Sequence, residues 1–300
     1  MKEYYEGLAR DNFNKAKARA FFHRILNVIT PEKEELLSLD EVRTMVPAKG
    51  ESYQGLKTVP INLIVGSEGR YQDFNKRFLP KKEHLRGRWT SIDRAHLTDV
   101  ILPPVQLYEV GGVYFVRDGN HRVSVAKMQG VEAIDAEVTV LDSDIEITPN
   151  MTRNDLKRAV ITYEYKRFCT LTGFPTIIPD YDLMFTATGR YDELLNHIYE
   201  HKYYMNLHRE LEIPLGVAIQ SWFEHVYTPI IDQVRQEGLL SRFPDRTEAD
   251  LYVWIVKHWH YLKEKYGPGV SPRAAALDYS KQFGKNLWER ITTFFRQLQK

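Results

Sequence analysis

The sequence predicts an α/β (α+β) protein. A small domain with a short mixed sheet stands between an N-terminal helical arm and an all-helical C-terminal domain. Three observations carry this reading. Residues 8–29 place apolar side chains at three- and four-residue spacing, the period of an amphipathic helix. Short β-branched runs are confined to residues 58–141, where they alternate with helix-like stretches. After Asn150 the strand-like runs thin out, and proline and glycine punctuate long helical segments. The expected boundaries are 1–50 for the arm, 51–148 for the α/β domain and 149–300 for the helical domain.

Composition narrows the function. Three hundred residues are enough for two units with their own cores. A net charge of +1 argues against a chain devoted to coating nucleic acid or an anionic membrane, while leaving room for local basic patches. No run approaches the roughly 18 apolar residues of a membrane span. The start, MKEYYEGLARDNF, lacks the apolar core of a secretory signal, so a cytoplasmic protein with no membrane partner is expected. Cys169 is the only cysteine, which excludes an internal disulfide and a multi-cysteine metal site.

In the arm, Leu8, Phe13, Ala16, Ala20, Phe21, Ile25 and Val28 form the apolar face. Arg10, Lys15, Lys17, Arg19 and Arg24 lie opposite, as a solvated face or a nucleic-acid contact. Pro31 and the acidic run at 32–35 end this helix. Ser38 followed by Glu41 resembles a capping box opening a short helix that stops near Pro47. Val59–Val65 reads as a strand in which Pro60 suits only the start or an edge. The loop GSEGRYQDFNKRF follows, then a helix around Trp89–Asp99. Val105–Val110, Gly111-Gly112 and Val113–Arg117 spell a hairpin whose glycines can take the positive φ its turn requires. Arg122–Gln129 is a short helix closed by Gly130, and 131–141 a further strand. The helices expected after it cover 152–171, 190–211, 215–237, 247–266 and 272–299.

The chemistry concentrates in FVRDGNHRVSVA. A strand enters a turn at Asp118-Gly119, and a helix begins at once. The first N–H groups of that helix lack intrahelical partners and carry the positive end of its dipole. Gly119 lets the backbone approach a ligand closely. Asn120, His121 and Arg122 project from the mouth, and a guanidinium fork suits phosphate oxygens. Such a turn is a ready anion site. The competing reading is structural, with Asp118 capping the helix, Arg122 paired to it and His121 a satisfied buried histidine.

The hairpin, the DGNHR turn and the helix after it resemble the ParB/sulfiredoxin superfamily. The resemblance runs over residues 56–142, through VPINLIV, LPPVQLYEVGGVYFVRDGNHRVSVA and IDAEVTVL. It implies a Gly-x-His-Arg turn set against nucleotide phosphates. Sulfiredoxin chemistry needs a cysteine just before the His-Arg pair, where this chain has Asn120, so that branch is excluded. ParB branches carry an Arg-rich turn followed by a helix-turn-helix, and neither is legible here. The Asp-Gly-x-His-Arg form is closest to a branch that phosphorylates free serine, with Asp and His at the reacting phosphate. That branch also uses an acid from the loop after its first strand as base. Glu68 and Asp73 are the candidates here, and Arg70 in the same loop is a further phosphate ligand. The chain also resembles uncharacterised bacterial ParB-like proteins with a helical C-terminal domain, which share FVRDG-x-HRVSVA and FP-x-RTEADLY-x-W.

Other patterns are weighed beside these. The stretch Lys76–Arg94 holds seven basic residues (Lys76, Arg77, Lys81, Lys82, Arg86, Arg88 and Arg94) against Glu83 and Asp93. Lys81, Lys82, Arg86 and Arg88 are a candidate phosphate or nucleic-acid patch, and Arg88 with Trp89 could flank a base. His258 and His260 point to different faces of one helix, so no metal site is assigned. In RTEADLYVW, Thr247 reads as an N-cap with Asp250 in the first turn. Arg246, Glu248 and Asp250 read as surface ion pairs or as part of an interface or second ligand site. The aromatics Tyr203, Tyr204, Trp222, Tyr227, Tyr252, Trp254, Trp259 and Tyr261 read as a helical core.

The function implied is a nucleotide-binding protein that hydrolyses a nucleoside triphosphate or transfers its phosphoryl group. The ligand would be ATP, ADP or CTP, and Asp118 would orient either an Mg2+ ion or His121. Asp118, His121 and Glu68 or Asp73 would be catalytic, and Gly119, Asn120, His121, Arg122 and Arg70 would hold phosphates. The alternative is a DNA- or nucleic-acid-binding regulator without catalysis. A homodimer is left open.

Overall fold

The computed structural model describes residues 2–29, 36–46 and 48–284, with side chains from residue 24 to residue 29 left aside. Expectations resting on Arg24, Ile25, Val28, Pro31, residues 32–35, Pro47 and the helix past Gly284 lie outside the described residues. The chain divides into two compact units, Met1–Leu156 and Lys157–Lys300.

The first unit opens with α1 (Lys2–Ile29), which buries Ala9, Phe13, Ala16 and Ala20. Phe21, expected on that face, is exposed instead. The Phe13 ring meets Trp89 edge to face at 5.6 Å, and Asn12 donates to Asp93 at 2.9 Å, so α1 is held against α3 (Arg86–Leu97). Between them lie β1 (Leu37–Ser38) and α2 (Leu39–Met45). The capping box expected from Ser38 and Glu41 does not form. Ser38 has extended backbone and stands at the N-cap of α2, but its side chain makes no cap bond. It is buried in β1, beside Ser67 of the sheet.

The strand expected over Val59–Val65 is two elements. The first is β2 (Glu51–Pro60), then a 3-10 turn at Ile61–Leu63, then β3 (Ile64–Ser67). Pro60 cannot donate to a ladder. Ile61 N–H instead donates to Glu132 O at 2.9 Å, and the chain turns. Residues 51–58 escape a sequence reading because they are polar and mostly exposed, as an edge strand tolerates.

The sheet is completed by β4 (Val105–Val110), β5 (Val113–Asp118) and β6 (Ala133–Leu141), in the order β1-β3-β5-β4-β6-β2. It is mixed. β1, β3 and β5 run parallel, β4 is antiparallel to β5 and parallel to β6, and β2 is antiparallel to β6. Gly111 and Gly112 take φ of 57° and 91°, which closes the β4–β5 hairpin as its sequence requires. α4 (Asn120–Gln129) covers the sheet with Val123 and Val125, and the core adds Val105, Leu107, Val116 and Val138.

The second unit is helical, as expected. It contains α5 (Arg153–Thr172, crossing the boundary), α6 (Phe174–Ile177), α7 (Arg190–Asn206), α8 (Leu215–Trp222), α9 (Thr228–Gln236), α10 (Glu248–Tyr266) and α11 (Pro272–Phe283). The helix expected over 215–237 is interrupted by a π turn at Phe223–Tyr227, where Thr228 N–H reaches Phe223 O. Pro229, in the first turn of α9, has no N–H for the carbonyl four residues back, and the wider turn absorbs the mismatch. Trp222, Tyr227 and Tyr252 are core, while Tyr203, Tyr204 and Tyr261 are exposed, which corrects the expectation for those three. Among the described residues, no helix is long and apolar enough to cross a membrane.

Candidate functional site

Because β3 and β5 are parallel, with Ser67 level with Val116, both strands deliver their C-terminal ends to one edge of the sheet. Glu68 N–H donates to Val116 O at 3.0 Å, and Arg70 N–H to Ser67 Oγ at 3.2 Å. The loop after β3 is thereby laid beside the Asp118-Gly119 turn that ends β5. Gly119 is the N-cap of α4 at φ 103°; a Cβ there would come within 2.6 Å of Val105 Cγ1. Only glycine fits this turn, and the turn aims the N-terminus of α4 at a cavity of about 260 Å³.

Four arginines line that cavity: Arg70, Arg88, Arg117 and Arg122. Asp118 is the only carboxylate among its lining residues. Arg122 is largely buried and strongly engaged. It donates to Asp118 Oδ2 at 2.5 Å, to Pro104 O at 2.8 Å and to Pro103 O. Arg70 faces Asp73 at 3.6 Å. Arg88 and Arg117 have no ion-pair partner among the described residues; Arg117 lies only over the Tyr108 ring, at 5.6 Å.

Asn120 and His121 are buried at the cavity wall, at 7% and 6% exposure. Asn120 Oδ1 and His121 Nδ1 are both sealed from solvent without a hydrogen-bond partner. That is a costly arrangement for two adjacent polar groups. Burial, reinforced by the positive charges of Arg70 and Arg88, pushes the His121 imidazole down to about 4, so it is neutral at pH 7. The satisfied structural histidine of the competing reading is therefore absent. Its other half is present: Asp118 pairs with Arg122, although no side chain caps α4.

The remaining candidates fall outside the cavity. Glu68 lies 3.8 Å from Arg43, and Asp73 is held by Lys82 at 2.8 Å. Neither carboxylate lines the cavity. In the basic stretch, Lys82 is on Asp73, Arg86 is on Glu83 at 2.5 Å, and Lys81 is exposed away from the cavity, so only Arg88 reaches it. Trp89 cannot flank a base. It is fully buried, and its indole N–H donates to Ser124 Oγ at 2.9 Å. Arg117 is the residue that sequence reasoning missed. Its signal was its place as the last basic side chain before the Asp-Gly turn. Among the described residues, no group of three His, Cys, Asp or Glu could hold a metal ion.

The fold and this site define an α/β domain with an arginine-lined cavity at the carboxyl edge of a mixed sheet. No protein-family model and no curated protein matches the sequence. Among solved structures, the chain is similar to a C-terminally truncated chromosome-partitioning protein ParB from Caulobacter crescentus, complexed with CTP-γ-S. The identity is 15% and the TM-score 0.22, over 76% of this chain and 98% of that one. It is also similar to two structures of a pNOB8-like ParB N-domain. One matches at 11% identity and TM-score 0.22 over 82% of this chain and 98% of that one. The other matches at 13% and 0.22, over 84% and 92%.

Proposed function

We propose that this protein binds a nucleoside triphosphate or diphosphate, with the phosphates in the cavity at the N-terminus of α4. The observation that carries the reading is the pair Arg88 and Arg117, two uncompensated guanidinium groups beside two sealed polar atoms, Asn120 Oδ1 and His121 Nδ1. Arg70, Arg88 and Arg117 would take phosphate oxygens, together with the free N–H groups of Asn120, His121 and Arg122. Arg122 holds Asp118 and the Pro103-Pro104 segment in place around the ligand. A lone rim carboxylate suits an Mg2+ that arrives on the phosphates, with Asp118 as its one protein ligand.

Hydrolysis or phosphoryl transfer is the finer part of the proposal. It needs a group that accepts the proton of the attacking oxygen. Glu68 or Asp73 would serve only after leaving Arg43 or Lys82. The DNA-binding alternative has less support, since Lys82 and Arg86 are already paired within the fold.

The test is thermal unfolding with CTP, ATP, ADP and inorganic triphosphate, each with and without MgCl2. A ligand at 100 times its Kd is expected to stabilise the fold by about 2.7 kcal/mol. If none of the four raises Tm at millimolar concentration, the reading fails.

A further inference from the structure

The segment RTEADLYVW, singled out in the sequence, builds a second cavity that lies wholly in the helical unit. Its volume is about 510 Å³, within the range of small-molecule sites. Thr247 and Asp250 form a complete capping box at the start of α10, as the N-cap expected at Thr247 requires, while Asp250 is buried and makes no surface ion pair among the described residues. Beyond the cap, Asp250 accepts from Thr186 N–H at 3.1 Å and from Thr186 Oγ1 at 2.7 Å. With its proton committed to the carboxylate, Thr186 Oγ1 is left as an acceptor. It takes Arg246 Nη1 at 2.8 Å.

Arg246 is thus fixed by a neutral hydroxyl, and its guanidinium lies 5.2 Å from the centre of the Trp254 ring. Arg242, on the same wall, donates to Ser280 Oγ at 3.0 Å. Lys157 also lines the cavity. None of these three cations has an ion-pair partner among the described residues, and Asp245 is the only acid in the lining. Between them stand Phe243, Trp254 and Tyr279; Phe243 and Tyr279 are stacked at 5.8 Å and Trp254 is tilted on Tyr279 at 6.1 Å. Unpaired cations around aromatic faces match a ligand that is flat at one end and negative at the other.

We propose that this cavity is a binding site for a small aromatic anion, a planar ring bearing a carboxylate or a phosphate. Thr186 and Asp250 are positioning residues that hold Arg246 for the anionic group, and Trp254 and Tyr279 meet the ring.

The experiment titrates phenyl phosphate, benzoate and neutral benzyl alcohol into the full chain, following tryptophan fluorescence, with Trp254→Phe identifying the reporter. At least one anion is expected to bind five or more times more tightly than the alcohol, and the tighter of the two names the head group. Arg246→Gln, or the exposed Arg242→Gln should the first variant not fold, is expected to weaken that anion at least fivefold. Arg88→Ala, in the other unit, is expected to leave it unchanged. An anion preference below fivefold, or an arginine variant that folds and binds as the wild type does, overturns the proposal.

Discussion

The Phe74 ring covers the His121 imidazole edge to face, with ring centres 5.5 Å apart and planes at 81°. This contact keeps water from a titratable ring at the mouth of α4. It explains why the imidazole stays neutral among the arginines, and it sets the first pH prediction.

His121 is held at about 4 in the folded chain against 6.5 in the unfolded one. The unfolded state therefore binds more protons between these values, and stability falls as pH drops from about 6.5 through 4. The full difference is about 3 kcal/mol. The charged groups acting on the ring are Arg70, Arg88 and His84, which lower it, and Asp73, which opposes them. Denaturant unfolding at stepped pH is expected to show His121→Gln losing less stability than wild type across this window. Parallel curves would contradict the assignment.

Arg122 does structural work before any ligand arrives. Its side chain is 12% exposed and serves one carboxylate and two carbonyls. Arg122→Ala is expected to cost about 1 kcal/mol in chemical denaturation, since it removes hydrogen bonds whose acceptors on Asp118, Pro103 and Pro104 stay open to water. Arg122→Lys should recover little, because an ammonium cannot reproduce the fork. A neutral alanine variant would show that this network contributes nothing.

Gly119→Ala tests the turn itself. With φ at 103° and Val105 Cγ1 only 2.6 Å from the added carbon, both strain and overlap act. The expected loss is about 1–3 kcal/mol, read as a lower denaturation midpoint. An unchanged midpoint would mean that the α4 N-terminus can shift freely, which the cradle does not allow.

Much of this was legible in the sequence, and the gaps have physical causes. The hairpin, α4 and its turn were readable because Gly111-Gly112 and Asp118-Gly119 demand particular backbone angles. The cap at Thr247 was readable because its partner Asp250 lies three residues on. Strand β2 was not, because an edge strand with polar faces has no apolar alternation. The cavity's composition was hidden too. Which of the nearby arginines and lysines meet the turn depends on β3 running parallel to β5, and that pairing leaves no trace in local periodicity. The same pairing placed Arg70 at the cavity while Glu68 turned toward Arg43.

The central claim is that uncompensated arginines make the cavity a phosphate site. The direct measurement is calorimetric titration of CTP, ATP and ADP, with MgCl2, into wild type and an Arg88→Ala/Arg117→Ala double variant. Each arginine supplies a charged hydrogen bond worth about 1.5–3 kcal/mol, so the double variant should bind the preferred nucleotide at least 100-fold more weakly. Its unliganded stability should be unchanged, since neither side chain has an ionic partner among the described residues. Equal affinity in the two proteins would contradict the account.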